Sequence, residues 1–572
     1  MQSTAHRTPY FRLALAISLA VSALLFFVWS WRWPLVGDAS LMHYIAFLTG
    51  RGWAPYRDLG DMNMPGSYMV EIAAMRVFGM GALAWRLFDF TQLAIASAAF
   101  FVIAWPHPVG AGSLASSASG ISGRAGSKLA GLFAASLFIL VHGRDGLAQG
   151  GQRDLTMAVC LIAAAACLML VLRRAATTDA AAPKAVPWLA AAFGLLSGVA
   201  VSIKPSVLPL SLAQLVLAVF ALGAPGARSG NPRQQGAVCA TLLRCAVPAA
   251  LAWLLVQAAV VAFLLREHAL AAFLAGLHTI VPYYASLGHR PLGYILLHSI
   301  SPLLPLVLIW LALLPLGSPQ WWRDWERNIL LAGVLFGLIN CIVQARALPY
   351  YRYPLLAFLL PLMALDFTRA LSIPRAAPQP IPLRTRAAQA LAVIALSVGG
   401  FFLAPQSAIL IHRYRWWQTD FLTSLERNLD QLGGPALSGH IQCIDTNRGC
   451  GNVLYNLRLE PATGMLSDFL IFGSSDAAAV RETRAQFSQA IMAKPPQVIV
   501  VTSPLYLGTL DDYRKLDRWP AFASYLADRY TLRTQWSPTR TERWWSREEA
   551  PAGYRIYVLR GNSAIEDQIW GK

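Results

Sequence analysis

The chain has 572 residues, of which 56% are hydrophobic and only 13% are charged, and its mean hydropathy is +0.47. Soluble globular proteins carry about 25% charged residues, so this composition excludes an ordinary soluble domain and indicates a polytopic membrane protein. The net charge of +18 does not indicate nucleic-acid binding. Many of the positive residues lie in short loops between apolar segments, where they orient a membrane protein toward the cytoplasm.

Apolar segments close to the length of a membrane span recur along the first 411 residues and predict about eleven transmembrane helices. They lie near 11–32, 84–105, 128–142, 155–173, 187–203, 206–224, 246–265, 292–317, 328–345, 352–370 and 388–411. The first segment has no small-residue cleavage site behind it, so we expect it to stay as an anchor. With the N-terminus inside the cell, eleven spans place residues 412–572 outside.

The composition changes after about residue 412, where charged residues become common and apolar runs shorten. Val498–Thr502 and Tyr554–Leu559 have the pattern of strands, and 417–432, 475–494 and 519–530 have the pattern of helices. Strands that alternate with helices predict a small α/β domain. Cys443 and Cys450 lie in this part, and an oxidising compartment would permit a disulfide between them. Two separate thiols remain the alternative.

The stretch from Val36 to Gly66 follows the first apolar segment and carries three carboxylates among aromatic and basic residues. Acidic residues next to a bilayer are costly, so a cluster there is a candidate functional site. The alternative is a solvated loop between two spans. The candidate catalytic residues are Asp38, Asp58 and Asp61.

Two of these carboxylates also have a structural interpretation. Asp38 precedes a predicted helix over 39–48 and has the residue type that caps a helix N-terminus. Asp58 follows Arg57, with which it could form an ion pair that holds the loop together. Asp61 or Glu71 is a candidate second active carboxylate or metal ligand, but no H-x-H or D-x-D pattern lies nearby, so we assign no metal and leave a divalent ion open.

Positive and aromatic residues recur at the predicted outer ends of other spans, where they could bind an anionic substrate. The candidate binding residues are Arg57, Arg153, Asp154, Lys204, Arg346, Tyr351 and Arg352. The structural alternatives are a helix cap by Asp154 beside a snorkelling Arg153, a turn at Lys204 before Pro205, and an interfacial aromatic belt around Tyr351.

The first loop also resembles a known family. An Asp after the first span, then G-x-x-P-Y-R-D and N-x-P-G, resembles the first extracytoplasmic loop of the GT-C superfamily. More narrowly it resembles the bacterial branch related to protein O-mannosyltransferases and lipid A aminoarabinose transferases. The short G-Q-R-D pattern at 151–154 and the Lys204-Pro205 pair are similar to further elements of this family. The resemblance implies that Asp38 is catalytic and that a polyprenyl-phosphate sugar is the donor.

These observations predict a polytopic α-helical membrane protein of the GT-C type, with a catalytic membrane domain over 1–411, a first extracytoplasmic loop over 33–83 and a soluble periplasmic α/β domain over 412–572. The expected function is glycosyl transfer from a polyprenyl-phosphate donor to a lipid, glycan or protein acceptor at the bacterial inner membrane. A secondary transporter or lipid flippase is the main alternative, although such proteins place charges near the bilayer midplane. A structural component of an envelope-assembly complex is the second.

Overall fold

A computed structural model of the chain describes most of its residues. They are 35–105, 121–145, 150–175, 182–229, 232–300, 304–313, 324–371, 421–506, 513–537 and 552–561, with Ile17, Ala20, Val21, Ala23, Leu24, Phe27, Ser30, Trp31 and Trp33. The chain divides into two compact units. The first unit comprises Met1–Trp31, Arg86–Val260 and Arg290–Leu410, and the second comprises Arg32–Trp85, Val261–His289 and Ile411–Lys572.

The first unit is built from long apolar helices. Among the described residues they are Ala82–Ala104, Ile121–Asp145, Arg153–Ala175, Ala182–Ile203, Leu208–Ser229, Pro232–Arg266, Leu292–Ile300, Leu304–Leu313, Trp325–Val343 and Tyr353–Leu371. The first turn of Ala82–Ala104 and the last six residues of Pro232–Arg266 belong to the second unit. Short 3₁₀ turns, Pro205–Val207 and Pro349–Arg352, precede two of them.

Six helices in the described part of the chain are long and apolar enough to cross a membrane. They match predicted spans in position, and the largely helical fold confirms the expectation of a helical membrane protein in its general form. The predicted number of eleven stays a prediction, because the segment 388–411 lies outside the described residues. The predicted span 292–317 corresponds to two shorter helices, with residues 301–303 outside the described part.

Two glycines allow two of these helices to approach closely. Gly333 and Gly337 lie one turn apart on Trp325–Val343, a spacing that brings helix backbones together in membranes. A Cβ atom added to Gly337 would lie 2.5 Å from the Cα of Leu355, and one added to Gly333 would lie 2.2 Å from the ring of Phe358. The crossing of this helix with Tyr353–Leu371 therefore requires glycine at both positions.

We expect Gly337→Ala to lower the stability of the first unit by about 1–3 kcal/mol, because its methyl group would meet backbone that cannot rotate away. Thermal unfolding of the detergent-purified protein measures the effect. Gly276→Ala is the matched control, since no atom lies within 4 Å of the added Cβ there. Equal unfolding temperatures for the two variants would show that the close crossing is not required.

The second unit joins segments that are far apart in sequence. Its first segment contains the helices Gly37–Thr49 and Pro65–Phe78, and its middle segment contains Leu270–His278 and Ile280–Ser286. Its last segment contains helical residues 421–431 and the helices Cys450–Asn456, Phe469–Phe472, Ala478–Ala493 and Pro520–Arg529.

In the described part of the second unit, four strands form a sheet. They are β1 (Ile441–Ile444), β2 (Val498–Thr502), β3 (Tyr530–Trp536) and β4 (Tyr554–Leu559), in the order β1-β2-β4-β3. The β1–β2 pair is parallel and the other two pairs are antiparallel.

The burial of these strands follows their sequence patterns. All five residues of β2 are buried, as expected for a continuous apolar run inside a sheet, while β4 alternates as its sequence predicts. Both predicted strands are confirmed. The core over one face includes Ile444, Phe472, Phe487, Ile499, Val501 and Phe522.

Candidate functional site

The predicted site residues fall into two groups, one in each unit. Asp38, Arg57, Asp58 and Asp61 belong to the second unit, and Arg153, Asp154, Lys204, Arg346, Tyr351 and Arg352 belong to the first.

Asp38 lies in the first turn of the helix Gly37–Thr49, where the positive end of the helix dipole stabilises a negative charge. The N-cap residue is Val36, so the alternative that Asp38 caps a helix beginning at residue 39 is not what the structure shows. The half-buried carboxylate accepts a hydrogen bond from Nδ2 of Asn447. Within the described part of the chain it has no other hydrogen-bond donor.

Asp58 is engaged by its neighbour Arg57. The guanidinium donates two hydrogen bonds to the carboxylate, at 2.9 and 2.7 Å, and the backbone N–H of Ala54 donates a third at 2.8 Å. The hydrogen bonds from Arg57 hold the pKa of Asp58 below its usual value. Arg57 also donates to the carbonyl oxygen of Glu267 at 3.1 Å. This geometry agrees with a structural ion pair that ties the loop to residue 267.

Asp61 is buried, unlike Asp58. One carboxylate oxygen accepts hydrogen bonds from Asn63, at 2.6 Å, and from the hydroxyl of Tyr68. The other oxygen is buried without a hydrogen-bond partner among the described residues. The ring of Tyr56 packs edge-on against Tyr68, and burial followed by the charge of Asp61 raises the pKa of Tyr56. Asp61 is therefore a constrained carboxylate inside the loop.

A buried histidine in the same unit was not predicted. Nδ1 of His43 lies 3.0 Å from the carboxylate of Glu71, and both side chains are almost inaccessible to solvent. The imidazole packs edge-on against Trp85 and Tyr455. His43 lies on the same helix as Asp38, and its position in an apolar stretch was the available signal.

Cys443 and Cys450 form a disulfide and are not two separate thiols. The enclosed Asp445 is buried and accepts backbone hydrogen bonds from Arg448, Gly449 and Cys450. Burial, together with the nearby charge of Asp468, raises the pKa of Asp445. The loop is thus fixed by a covalent bond and by a carboxylate at its centre.

Lys204 is the centre of the group in the first unit. The helix Ala182–Ile203 ends at the predicted break, and Lys204 adopts an extended conformation before the 3₁₀ turn. Its ammonium group donates to Asp154 at 2.7 Å and to Gln344 at 2.6 Å, and it lies 4.6 Å from the ring centre of Tyr351. Asp154 and Tyr351 are buried here, so the belt interpretation does not describe Tyr351.

Arg346 and Arg352 are also buried, and both lie on the connection between two helices. The residues on either side of Arg346, Ala345 and Ala347, have φ angles of +53° and +56°. Non-glycine residues adopt this conformation at a cost in energy, and such strain concentrates at functional sites. Arg352 donates a long hydrogen bond of 3.4 Å to the carbonyl oxygen of Ser299. Arg153 is half-buried at the start of its helix.

A second buried polar cluster in the first unit was missed by sequence reasoning. Asp89 accepts hydrogen bonds from Arg86 and, at 3.1 Å, from His142, whose other ring nitrogen contacts the hydroxyl of Tyr353. All four side chains are buried. A charged pair inside an apolar segment was the signal that should have drawn attention to this position.

In the described part of the chain, no three His, Cys, Asp or Glu side chains come together in a group that could hold a metal ion.

No protein-family model matches the chain, and no curated protein is significantly similar to it in sequence. Among the solved structures with a similar fold are two of ArnT from Cupriavidus metallidurans. The structure bound to undecaprenyl phosphate has a TM-score of 0.50 and 14% identity, covering 95% of this chain and 98% of that one. The apo structure has a TM-score of 0.51 and 16% identity, covering 95% and 97%. The chain therefore has the fold of ArnT, in keeping with the fold that the resemblance of its first loop implies.

Proposed function

We propose that this chain is a glycosyltransferase that moves a sugar from a polyprenyl-phosphate donor to an acceptor. The observation that carries the proposal is the similarity in fold over 95% of the chain to ArnT, of which one solved structure is bound to undecaprenyl phosphate. The membrane-length helices are consistent with a lipid-linked donor, because such a substrate enters from the bilayer.

Asp38 would act as the base. In the proposed reaction the acceptor oxygen forms a bond to the anomeric carbon, while the bond from that carbon to the phosphate oxygen breaks. The acceptor proton passes to Asp38, and the electron pair leaves with the polyprenyl phosphate. A carboxylate with one oxygen already fixed and the other without a partner among the described residues is suited to this role.

Lys204 would stabilise the departing phosphate. An ammonium group has three N–H donors, and the described residues accept hydrogen bonds from two of them. The side chain is 21% exposed, so it is held in place but accessible. A fixed positive charge at the position where negative charge develops is an effective form of catalysis. Arg153, Arg346 and Arg352 would add positive potential in the same unit.

We assign the protein to the bacterial inner membrane, with Asp38 and the domain over 412–572 on the periplasmic side. The modest excess of basic residues in the predicted inner loops supports this orientation. A disulfide between Cys443 and Cys450 supports it as well, because the periplasm is oxidising.

The test is to reconstitute the purified protein in nanodiscs, offer a panel of polyprenyl-phosphate sugars with lipid, glycan and peptide acceptors, and follow the release of polyprenyl phosphate. We expect release from at least one donor. In sealed vesicles, movement of the intact donor across the membrane without any release would contradict the proposal and indicate a flippase.

A further inference from the structure

The disulfide-closed loop, residues 443–450, ends the first strand of the sheet and begins the helix Cys450–Asn456. Asp445 fixes its interior, and Thr502 donates a hydrogen bond to the same carboxylate at 3.2 Å. Gly449 has a φ of +127°, and an added Cβ there would lie 2.8 Å from the ring of Phe421. The path of this loop is therefore constrained by a covalent bond, hydrogen bonds and packing.

The loop presents Asn447 to the first turn of the helix Gly37–Thr49. The amide nitrogen of Asn447 donates a hydrogen bond to Oδ1 of Asp38, across 409 positions of sequence. The amide oxygen is buried and has no hydrogen-bond partner within the described part of the chain. Among the described residues, the side chain of Asn447 therefore hydrogen-bonds to Asp38 alone.

Two neighbouring hydrogen bonds connect residues 35–44 with residues 452–459, which follow the loop, without touching Asp38. Asn452 donates to the carbonyl oxygen of Leu35, and the hydroxyl of Tyr44 donates to the carbonyl oxygen of Leu459 at 3.0 Å. The cavity that remains between the helix and the loop measures about 20 Å³, which is room for about one water molecule. The loop is thus packed closely against the helix that carries the carboxylate.

We propose that Asn447 is a positioning residue for Asp38 and that the disulfide-closed loop holds Asn447 in place. This inference rests on the proposed role of Asp38 as the base. A carboxylate on a short side chain can rotate, and a single fixed donor at Oδ1 restricts the direction in which Oδ2 points. The domain over 412–572, which carries no recognisable catalytic motif, would then contribute to turnover by orienting the base.

The test compares two substitutions of Asn447 in nanodiscs, with the polyprenyl-phosphate sugar that the wild type cleaves. Asn447→Ala removes the donor, and we expect kcat to fall about tenfold with an unchanged KM for the donor, because one hydrogen bond to a charged group is lost. Asn447→Asp keeps the size of the side chain but places a second negative charge beside Asp38. We expect it to lower kcat further, about a hundredfold.

If Asn447 had only a structural role, Asn447→Asp, which keeps the size of the side chain, would be more active than Asn447→Ala. A lower kcat for Asn447→Asp than for Asn447→Ala therefore indicates positioning. Tyr44→Phe is the matched control, because it removes a hydrogen bond between the same segments without touching Asp38. We expect it to lower the unfolding temperature and leave kcat near the wild-type value. In an Asp38→Asn background, Asn447→Ala should cause no further loss, since the two residues act as one unit.

Three results would overturn the proposal. If Asn447→Asp is at least as active as Asn447→Ala, or if both stay within about twofold of the wild type while Asp38→Asn is inactive, Asn447 does not position the base. If Asp38→Asn releases polyprenyl phosphate as fast as the wild type, the proposed role of Asp38 fails, and the inference about Asn447 fails with it.

Discussion

Asp38→Asn should slow the release of polyprenyl phosphate at least about a hundredfold, because general-base catalysis contributes about 10²–10⁴-fold. Asparagine has nearly the same size as aspartate, but it cannot take a proton from the acceptor. The half-buried carboxylate lies in the first turn of its helix, with Asn447 as its hydrogen-bond donor. The measurement is single-turnover release in nanodiscs with the enzyme in excess over the donor, so that the chemical step and not product release is observed.

The control for this variant is Asp476→Asn, which neutralises an exposed carboxylate in the same unit. We expect it to leave release unchanged. Size-exclusion profiles and unfolding temperatures of the variants establish that each is folded. Equal rates for Asp38→Asn and the wild type would contradict the assignment of the base.

Asp58→Asn and Asp61→Asn separate the other two candidate carboxylates from Asp38. Asp58 is hydrogen-bonded to Arg57, and one oxygen of Asp61 is hydrogen-bonded to Asn63 and Tyr68. We therefore expect their substitution to lower stability more than it lowers the rate of the chemical step. If one of them abolishes release while Asp38→Asn does not, the base is that residue instead.

Local patterns were sufficient to predict much of the fold. The apolar run Val498–Thr502 and the alternating run Tyr554–Leu559 are both strands. A strand that is buried on both faces has a continuous apolar sequence, whereas a strand that is buried on one face alternates. The break at Lys204 was also predictable, because the following Pro205 disfavours helical conformation in the residue before it.

Contacts between distant segments could not be predicted from such patterns. Asn447 lies in a polar loop that shows no motif, and only folding brings it to Asp38. The pairing of Lys204 with Asp154 likewise joins residues that are 50 positions apart in sequence, and neither residue identifies its partner from sequence alone. The periodicity of a sequence indicates which face of a helix or strand is buried. Which residue of another element that face contacts depends on the tertiary arrangement.

The buried cluster around Asp89 shows a different limit. Asp89, Arg86 and His142 lie in helices whose apolar composition dominates any averaged hydropathy. Such polar residues inside a membrane segment are maintained when they pair with one another, so their presence indicates partners on neighbouring helices. The missing information was again which helices lie side by side.

Lys204→Met should lower the rate of polyprenyl phosphate release by about 10²–10³-fold, the usual effect of removing one fixed donor at a developing negative charge. Methionine keeps an unbranched side chain of similar length and removes only the ammonium group. The substitution also leaves the buried carboxylate of Asp154 without its ion-pair partner. Loss of a partner at a buried charge is destabilising, so unfolding temperature must be measured together with the rate.

Two further variants separate charge from structure. Lys184→Met makes the same substitution on an exposed residue near the start of the helix that ends at Ile203, and we expect it to be neutral. The double variant Lys204→Met with Asp154→Asn removes both charges and should recover stability without recovering activity. Recovery of release in this double variant would mean that Lys204 serves only to neutralise Asp154. The phosphate would then have to be stabilised by other cations, with Arg346 and Arg352 as the next candidates, since both are buried on the connection between two helices of the same unit.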